Sequence, residues 1–418
     1  MDGRANRSVR SARVPGRLTS PLFPSDLAGE PALPGPLLIA GRVLSRSADT
    51  ATLADAFAWL TAQGEVLSAL EVGDLVVLNG TWDGRVFAAG SLAQRQPAPE
   101  PRGDGDLARS LFRGVGARLR ARSRALAEVR AYFSEEGFVE VETPYRVPAP
   151  GVDAHVEALA ADRGYLITSP ELEMKRLVVA GVPRQFQLAR VSRRDESGPL
   201  HEPEFTLLEW YRAFAGQAEI LRDTEAIVSR VARVLRGVPV LVTPSGRPIA
   251  VEPPFERVSV AEAFAAHAGV SDVSDLAASD EQLYFRLLVE RVEPALALCD
   301  RALFLTDYPI SQAALARASL TDPRFAERFE LYVGGVELSN GYGELTDPIE
   351  QRRRMLLEQG RREADGRSVY PLNERFLEAL AAGMPPTGGN ALGFDRLLML
   401  ALSADSIGDV MAFPRAEL

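Results

Sequence analysis

Residues 184–212 read RQFQLARVSRRDESGPLHEPEFTLLEWYR, and the fold turns on how this stretch is read. Gln185–Val191 alternates apolar and polar side chains, with Phe186 and Leu188 on one face. Arg193, Arg194, Asp195 and Glu196 then crowd together, Gly198-Pro199 breaks the chain, and Phe205–Tyr211 resumes an apolar, β-prone run. The pattern predicts two strands joined by a charged loop. Such a loop packs poorly but suits a polyanion, because a planar guanidinium matches phosphate oxygens two at a time and carboxylates orient amines or a metal. A solvated loop whose charges satisfy one another fits the same residues, so the neighbouring segments must decide.

Just upstream, TSPELEMKRL at 168–177 opens a helix that runs through Ala180: Ser169 reads as the N-cap, Pro170 as the first helical residue, Glu171 as an acid in the first turn. Glu171 is thus either a helix-dipole partner or a functional carboxylate. Lys175 is the only lysine of the chain; the other 46 basic residues are arginine. A coding preference for arginine accounts for the number and leaves Lys175 without an assigned role. Tyr165–Thr168 reads as a short strand before this helix.

Downstream, Phe325–Leu345 carries Glu330, Glu337 and Glu344 at intervals of seven. Gly334-Gly335 and Asn340-Gly341 break any heptad helix, so the stretch reads as a tight hairpin with Glu330 and Glu337 on adjacent strands and Glu344 past a bend. Carboxylates converging inside a sheet repel unless cations separate them, and carboxylate plus phosphate oxygens is the donor set Mg²⁺ takes. A wet sheet face is the alternative, disfavoured by the apolar and glycine neighbours. The run Gly388-Gly389-Asn390-Ala391-Leu392-Gly393 leads into FDRLLMLALSA, a strand entering a helix, whose glycines let a flat ligand approach the backbone. It is neither a GK[ST] phosphate loop nor a GxGxxG turn. Arg396 opposes the dipole of its helix and is a candidate ligand group.

The N-terminal third has a different texture. Residues 1–33 hold Arg4, Arg7, Arg10, Arg13 and Arg17 without the apolar core of a secretory signal, and read as a disordered tail. Residues 34–97 are short β-like runs separated by turn signals, as in a small oligonucleotide/oligosaccharide-binding (OB) barrel. Between residues 36 and 97 four arginines face six acids, so Trp59 and Trp82 lack the basic groove that base stacking needs, and a structural module is expected. Residues 98–106 are a linker by composition. A helix over 107–136 carries Arg109, Arg113, Arg118, Arg120, Arg122, Arg124 and Arg130, a solvated face or a dock for an acidic partner. FVEVETP at 138–144 is a strand. Residues 217–300 read as mostly helical, with a Pro- and Val-rich interlude at 238–258 and no catalytic signal.

At 418 residues, 46% hydrophobic and 25% charged, the chain is an ordinary globular protein with room for a large core. A net charge of −10 disfavours general nucleic-acid binding. The single Cys299 excludes an intramolecular disulfide, and His155, His201 and His267 are too few for a zinc cluster. No apolar run reaches the roughly 20 residues of a membrane span. A cytoplasmic protein with no membrane partner is expected.

Five segments in order, FVEVETP, TSPELEMKRL, FQLARVSRRDE…HEPEFTLLEWY, RFELYVGGVELSNGYGELTD and GNALGFDRL, resemble the catalytic domain of class II aminoacyl-tRNA synthetases, and within it the lysyl branch. The likeness spans roughly 105–418 and is greatest to the lysyl-tRNA synthetase paralogues that attach (R)-β-lysine to a lysine side chain of translation elongation factor P. Ala391, where lysyl-tRNA synthetases carry glycine, and the form EWYR at 209–212 carry that preference. The resemblance implies an α+β fold: a six-stranded antiparallel sheet flanked by helices over 107–418, here preceded by the OB-like barrel. It also implies a homodimer built partly on 107–144, and use of ATP and Mg²⁺ to make an aminoacyl-adenylate that an acceptor amine then attacks.

The same resemblance assigns roles. Arg193 and Asp195 are the catalytic pair. Arg193, Asp195, His201, Glu202, Phe205, Glu337, Leu338, Gly393 and Arg396 match ATP contacts, with Phe205 and Arg396 sandwiching adenine and His201 reaching the outer phosphates. Glu330 and Glu337 match the Mg²⁺ ligands. Ser169, Pro170, Glu171, Glu209, Tyr211, Asn340, Glu344 and Ala391 match the pocket for lysine or β-lysine. Departures fall in the loop, where Ser192-Arg193-Arg194-Asp195 replaces the usual F-R-N-E and Glu202 replaces an asparagine. Three activities stay open: a ligase acting on elongation factor P, a lysyl-tRNA synthetase, and an inactive paralogue serving interaction. The acid-rich barrel makes tRNA the less expected acceptor.

Overall fold

The computed structural model describes residues 20–28, 34–103, 105–151, 153 and 156–418. The chain forms two compact units, one up to Arg120 and one from Ala121. The division falls beyond the linker-like stretch 98–106, inside the helix Val115–Glu135. No helix among the described residues is long and apolar enough to cross a membrane.

In the first unit β1 (Gly35–Arg46), β2 (Thr50–Ala54), β3 (Trp59–Gln63), β4 (Leu75–Trp82) and β5 (Val86–Gln96) close a barrel in the order β1-β2-β3-β5-β4, around Ile39, Val43, Leu53, Leu78 and Phe87. The run TATLADAFAWL is two strands: the Asp55 carboxylate accepts from the backbone N–H groups of Phe57 and Ala58 and turns the chain between them. Part of the expected tail is ordered. Leu22 pairs with Ile39, and α1 (Pro24–Ala28) buries Leu27 against the barrel, because apolar side chains here find a surface to cover. The remainder, 1–19 and 29–33 with its five arginines, lies outside the described residues. The helix expected over 107–136 is broken into Asp106–Phe112 and α2 (Val115–Glu135), with Gly114 at φ +75° between them.

The second unit is built on β6 (Val139–Glu140), β7 (Arg184–Ser192), β8 (Glu204–Ala213), β9 (Glu256–Ser259), β10 (Leu303–Pro309), β11 (Phe325–Val333), β12 (Val336–Gly343) and β13 (Thr387–Gly393). Their order in the sheet is β9-β10-β11-β12-β13-β8-β7-β6. Six antiparallel strands form the middle; β6 and β9 add two short parallel edges, so the sheet has eight strands rather than six. The hairpin of β7 and β8 keeps an unbroken register from Arg184↔Arg212 to Ser192↔Glu204.

Strand alternation then sorts the faces. Phe186, Leu208, Trp210, Leu392 and Leu331 face a core completed by α2, α4 and α5, where α3 is Glu171–Val179, α4 Gln217–Arg236 and α5 Phe394–Leu402. Phe133 of α2 stacks on Phe186, ring centres 4.3 Å apart. On the opposite face one cross-strand row runs Glu330, Asn340, Ala391, Glu209, Gln187. Functional and core residues thus alternate along the same strands.

Several arginines hold the layers together. Arg122 of α2 pairs with the fully buried Asp395 and donates to Thr206 Oγ1 at 2.7 Å, and Asp395 also accepts from the Thr206 N–H at 2.6 Å. Arg212, the last residue of EWYR, grips Asp223 with two hydrogen bonds of 2.7 and 2.8 Å and reaches Glu136 at 2.9 Å, while Tyr132 donates to Asp223. Removing one partner leaves the other charge buried and unmatched. Arg212→Ala should therefore lower the unfolding free energy in urea by about 3 kcal/mol; a loss below about 1 kcal/mol would show the network to be dispensable.

Candidate active site

The polar face of the sheet borders a cavity of about 360 Å³. Of the expected nucleotide-contacting residues, Arg193, His201, Glu202, Phe205, Glu337, Leu338, Gly393 and Arg396 line it, and so do Ser169, Glu171, Glu209, Tyr211, Asn340, Glu344 and Ala391 from the expected amino-acid pocket. Asp195, Pro170 and Glu330 do not. Segments more than 200 residues apart in sequence are brought together by the register of β8, β13 and β12.

At one end the cavity is acidic. Helix α3 begins at Glu171, one residue later than expected, with Pro170 at the N-cap. The Ser169 hydroxyl accepts from the Glu171 N–H at 3.0 Å and donates to Glu209 Oε1 at 2.5 Å, so it satisfies a helix end and a buried carboxyl at once. Tyr211 donates to Glu209 Oε2 at 3.1 Å. Burial, followed by the charge of Glu171, pushes the Glu209 carboxyl up to about 8. One turn into α3, the fully buried Lys175 Nζ lies 2.5 Å from Glu171 Oε1 and 2.5 Å from Glu344 Oε2. Burial alone would lower the Lys175 pKa; the two carboxylates outweigh it and hold the ammonium charged. Burial also raises Glu344, to about 7, against the pull of Lys175.

The second oxygen of Glu344 and Asn340 Oδ1 are buried without a hydrogen-bond donor among the described residues. Acceptors left unmatched in a cavity are places for ligand N–H groups. Gly389 is needed beside them: a Cβ there would stand 2.5 Å from Glu344 Oε1 and collide with the Tyr211 ring.

The other end is cationic. Arg193 lies over the Phe205 ring, 5.2 Å from its centre, and its Nη1 is 3.6 Å from Glu196. Arg396 donates to the backbone oxygens of Leu200 and Glu337 at 3.1 and 2.8 Å and to His201 Nε2 at 2.8 Å. Enclosure, then the charge of Arg396, lowers the His201 pKa, so the ring accepts as a neutral imidazole. Two departures noted in the loop acquire physical reasons. Asp195 sits at φ +64°, a conformation short Asp tolerates better than Glu, and points away from the cavity, whose lining acid is its neighbour Glu196. Glu202 accepts from the backbone N–H of Arg415 at 3.1 Å and pins the C-terminal turn beside the cavity.

The three glutamates spaced by seven do not converge on one cation. Glu344 belongs to Lys175. Glu330 is saturated by the protein: Arg328 at 2.7 Å, with Tyr308 and Tyr332 donating at 2.6 and 2.8 Å. A bulge that sets Glu337 opposite Tyr332 turns it to the cavity wall, with 42% of its side chain exposed. Enclosure and then Glu330 push the Glu337 pKa up. Against Mg²⁺, therefore, Glu337 fits as an open carboxylate and Glu330 does not, since Arg328 already neutralises it. No group of three His, Cys, Asp or Glu among the described residues could hold a metal ion.

Sequence reasoning missed three residues. Lys175 carried a signal, its uniqueness, but no chemistry to go with it. Glu196 stood one place from the expected acid. Arg328 had no signal, because its partner Glu330 was read as a metal ligand.

A strand-and-helix frame with a motif arginine on an aromatic ring at one end of a cavity and buried carboxyls at the other defines a class II synthetase. Residues 110–417 match the model for tRNA synthetases class II (D, K and N), and the chain belongs to that family, with the ATP-dependent amino-acid ligase chemistry that membership carries. Similar proteins include the elongation factor P--(R)-beta-lysine ligase of Salmonella dublin, 38% identical over 307 residues, covering 71% of this chain and 94% of that protein. The protein of the same name from Proteus mirabilis is 37% identical over 309 residues, covering 71% and 95%.

A carboxyl raised by folding binds more protons folded than unfolded, so its stabilisation is full at low pH and lost as pH rises through its folded pKa. For Glu209 that window runs from its ordinary 4.5 to about 8. Without added substrate, Glu209→Gln should gain about 2 kcal/mol relative to the parent between about pH 6 and about pH 9. Parallel thermal-midpoint curves for the two proteins would contradict the raised carboxyl.

Proposed function

We propose that the chain activates (R)-β-lysine or lysine as an adenylate and transfers it to a lysine side chain of translation elongation factor P. The observation that supports this best is the division of one cavity into an acidic end, able to receive two ammonium groups, and a cationic end, able to receive phosphates. The likeness to proteins named as elongation factor P ligases, over nearly their whole length, supports the acceptor.

In the first step a carboxylate oxygen of the amino acid attacks the α-phosphorus of ATP, the bond to the bridging oxygen breaks, and pyrophosphate leaves. Arg193 neutralises charge building on the α-phosphate, and Phe205 and Arg396 hold the base. Glu171, Glu209 and Glu344, with Asn340, hold the amino groups at the far end and so fix the carboxylate toward phosphorus. In the second step the acceptor amine attacks the carbonyl carbon; an amide forms, AMP leaves, and the amine's proton goes to solvent. ATP is taken as its magnesium complex, with Glu337 as this chain's carboxylate toward an ion that offsets phosphate charge. The working form is a cytoplasmic homodimer assembled through 107–144, where edge strand β6 exposes Val139. The acid-rich barrel argues for a protein acceptor over tRNA.

Arg193→Ala should reduce amino-acid-dependent ATP–pyrophosphate exchange at least about 100-fold at an unchanged thermal midpoint; normal exchange would remove its assigned role. Purified elongation factor P should accept labelled amino acid while tRNA does not, and the reverse outcome would make the protein a lysyl-tRNA synthetase. Ala391→Gly, which removes a methyl from the pocket floor, should raise use of α-lysine relative to β-lysine by about fivefold in the same exchange assay.

A further inference from the structure

Arginine occupies 46 of the 47 basic positions in this chain, and the exception, Lys175, is buried completely. Its Nζ touches Glu171 on its own helix and Glu344 beyond β12, each at 2.5 Å, and lies 6.0 Å from the centre of the Tyr211 ring. The two carboxylate oxygens are therefore no more than about 5 Å apart, a gap that suits a compact ammonium and not a planar guanidinium. Composition and geometry agree independently that this position demands lysine.

We infer that Lys175 is a positioning residue of the amino-acid pocket: an internal counter-cation that fixes Glu171 and Glu344 and sets the pocket's charge to match two ammonium groups. The inference rests on the reading above, that the pocket receives a diamino acid. The count is direct. Glu171, Glu209 and Glu344 ionised bring three negative charges, Lys175 returns one, and two remain for the ligand. Each carboxylate gives Lys175 one oxygen. The other Glu344 oxygen is buried without a donor, and Glu171 keeps 18% of its side chain exposed within the cavity lining. Without the ammonium, Glu171 and Glu344 would repel at short range and one would take up a proton, so the ligand would lose an acceptor. Glu209 and Tyr211 face the same region from β8 and carry no cation to replace it.

The test uses the full-length protein. Lys175→Met should raise KM for the amino acid about 30-fold while KM for ATP stays within about threefold, and the rise should be larger near pH 6.5 than near pH 8.5. Equal changes in both KM values with an unaltered pH profile would mean a merely structural lysine and overturn the inference. Should that variant fail to fold, Lys175→Met/Glu344→Gln removes the cation and one carboxylate together. The parent should be stabilised against heat more by 1,5-diaminopentane than by pentylamine, and the double variant should lose that preference. A parent without the preference, or a double variant that keeps it, overturns the inference. Exchange by the parent with lysine or (R)-β-lysine tests the underlying reading separately, since the diamine comparison needs no catalysis.

Discussion

A charge taken out of water must be matched where it comes to rest, and in this protein the match between Lys175 and its two glutamates ties three distant segments into one site. The ammonium joins α3 to the residue that follows β12. The Ser169 hydroxyl, at the head of the same helix, joins it to Glu209 on β8. Remove the ion and neither glutamate has reason to stay where the pocket needs it. The same economy appears at the cationic end, where Arg396 binds the loop at Leu200, strand β12 at Glu337 and the ring of His201 with one side chain. Both ends are held before any ligand arrives, which is what rapid adenylate formation requires of a site whose work is mostly placement.

Much of this was legible in the chain. The alternation in QFQLARV and the resumed apolar run after the loop set both strands of the central hairpin, and their pairing follows without a slip. Strand parity then separates Trp210 from Glu209 and Leu392 from Ala391, so core and cavity residues were distinguishable by position alone. What escaped reading were features decided by tertiary context. Strands of two and four residues, β6 and β9, exist only because a neighbour offers free backbone groups. The start of α3 shifted by one because Ser169 caps through a turn ahead of the helix. Spacing by seven suggested three like carboxylates, but their partners, Lys175, Arg328 and two tyrosines, come from elsewhere in the fold and give each glutamate a different task.

Charge counting alone also understated the arginines. The cationic run along α2 read as a solvated face, yet Arg122 is driven into the core against Asp395. Arg362, fully buried, donates to the backbone oxygens of Asp153, Val156 and Ser368 and to Glu157. A guanidinium carries enough directed donors to satisfy several acceptors at once and so tolerates burial where an ammonium needs a closer cage. A high arginine content therefore supplies structural rivets as well as surface charge.

That content has a chemical corollary for a catalyst that releases a reactive mixed anhydride beside its own surface. Bystander lysines are the usual casualties of such intermediates, since a deprotonated ε-amine is a competent nucleophile. Here the whole chain offers a single ε-amine, sealed from solvent and held as its conjugate acid between two carboxylates. The enzyme's own side chains thus present no competing amine, and an escaping acyl group is left to react with water or with the lysine it was made for.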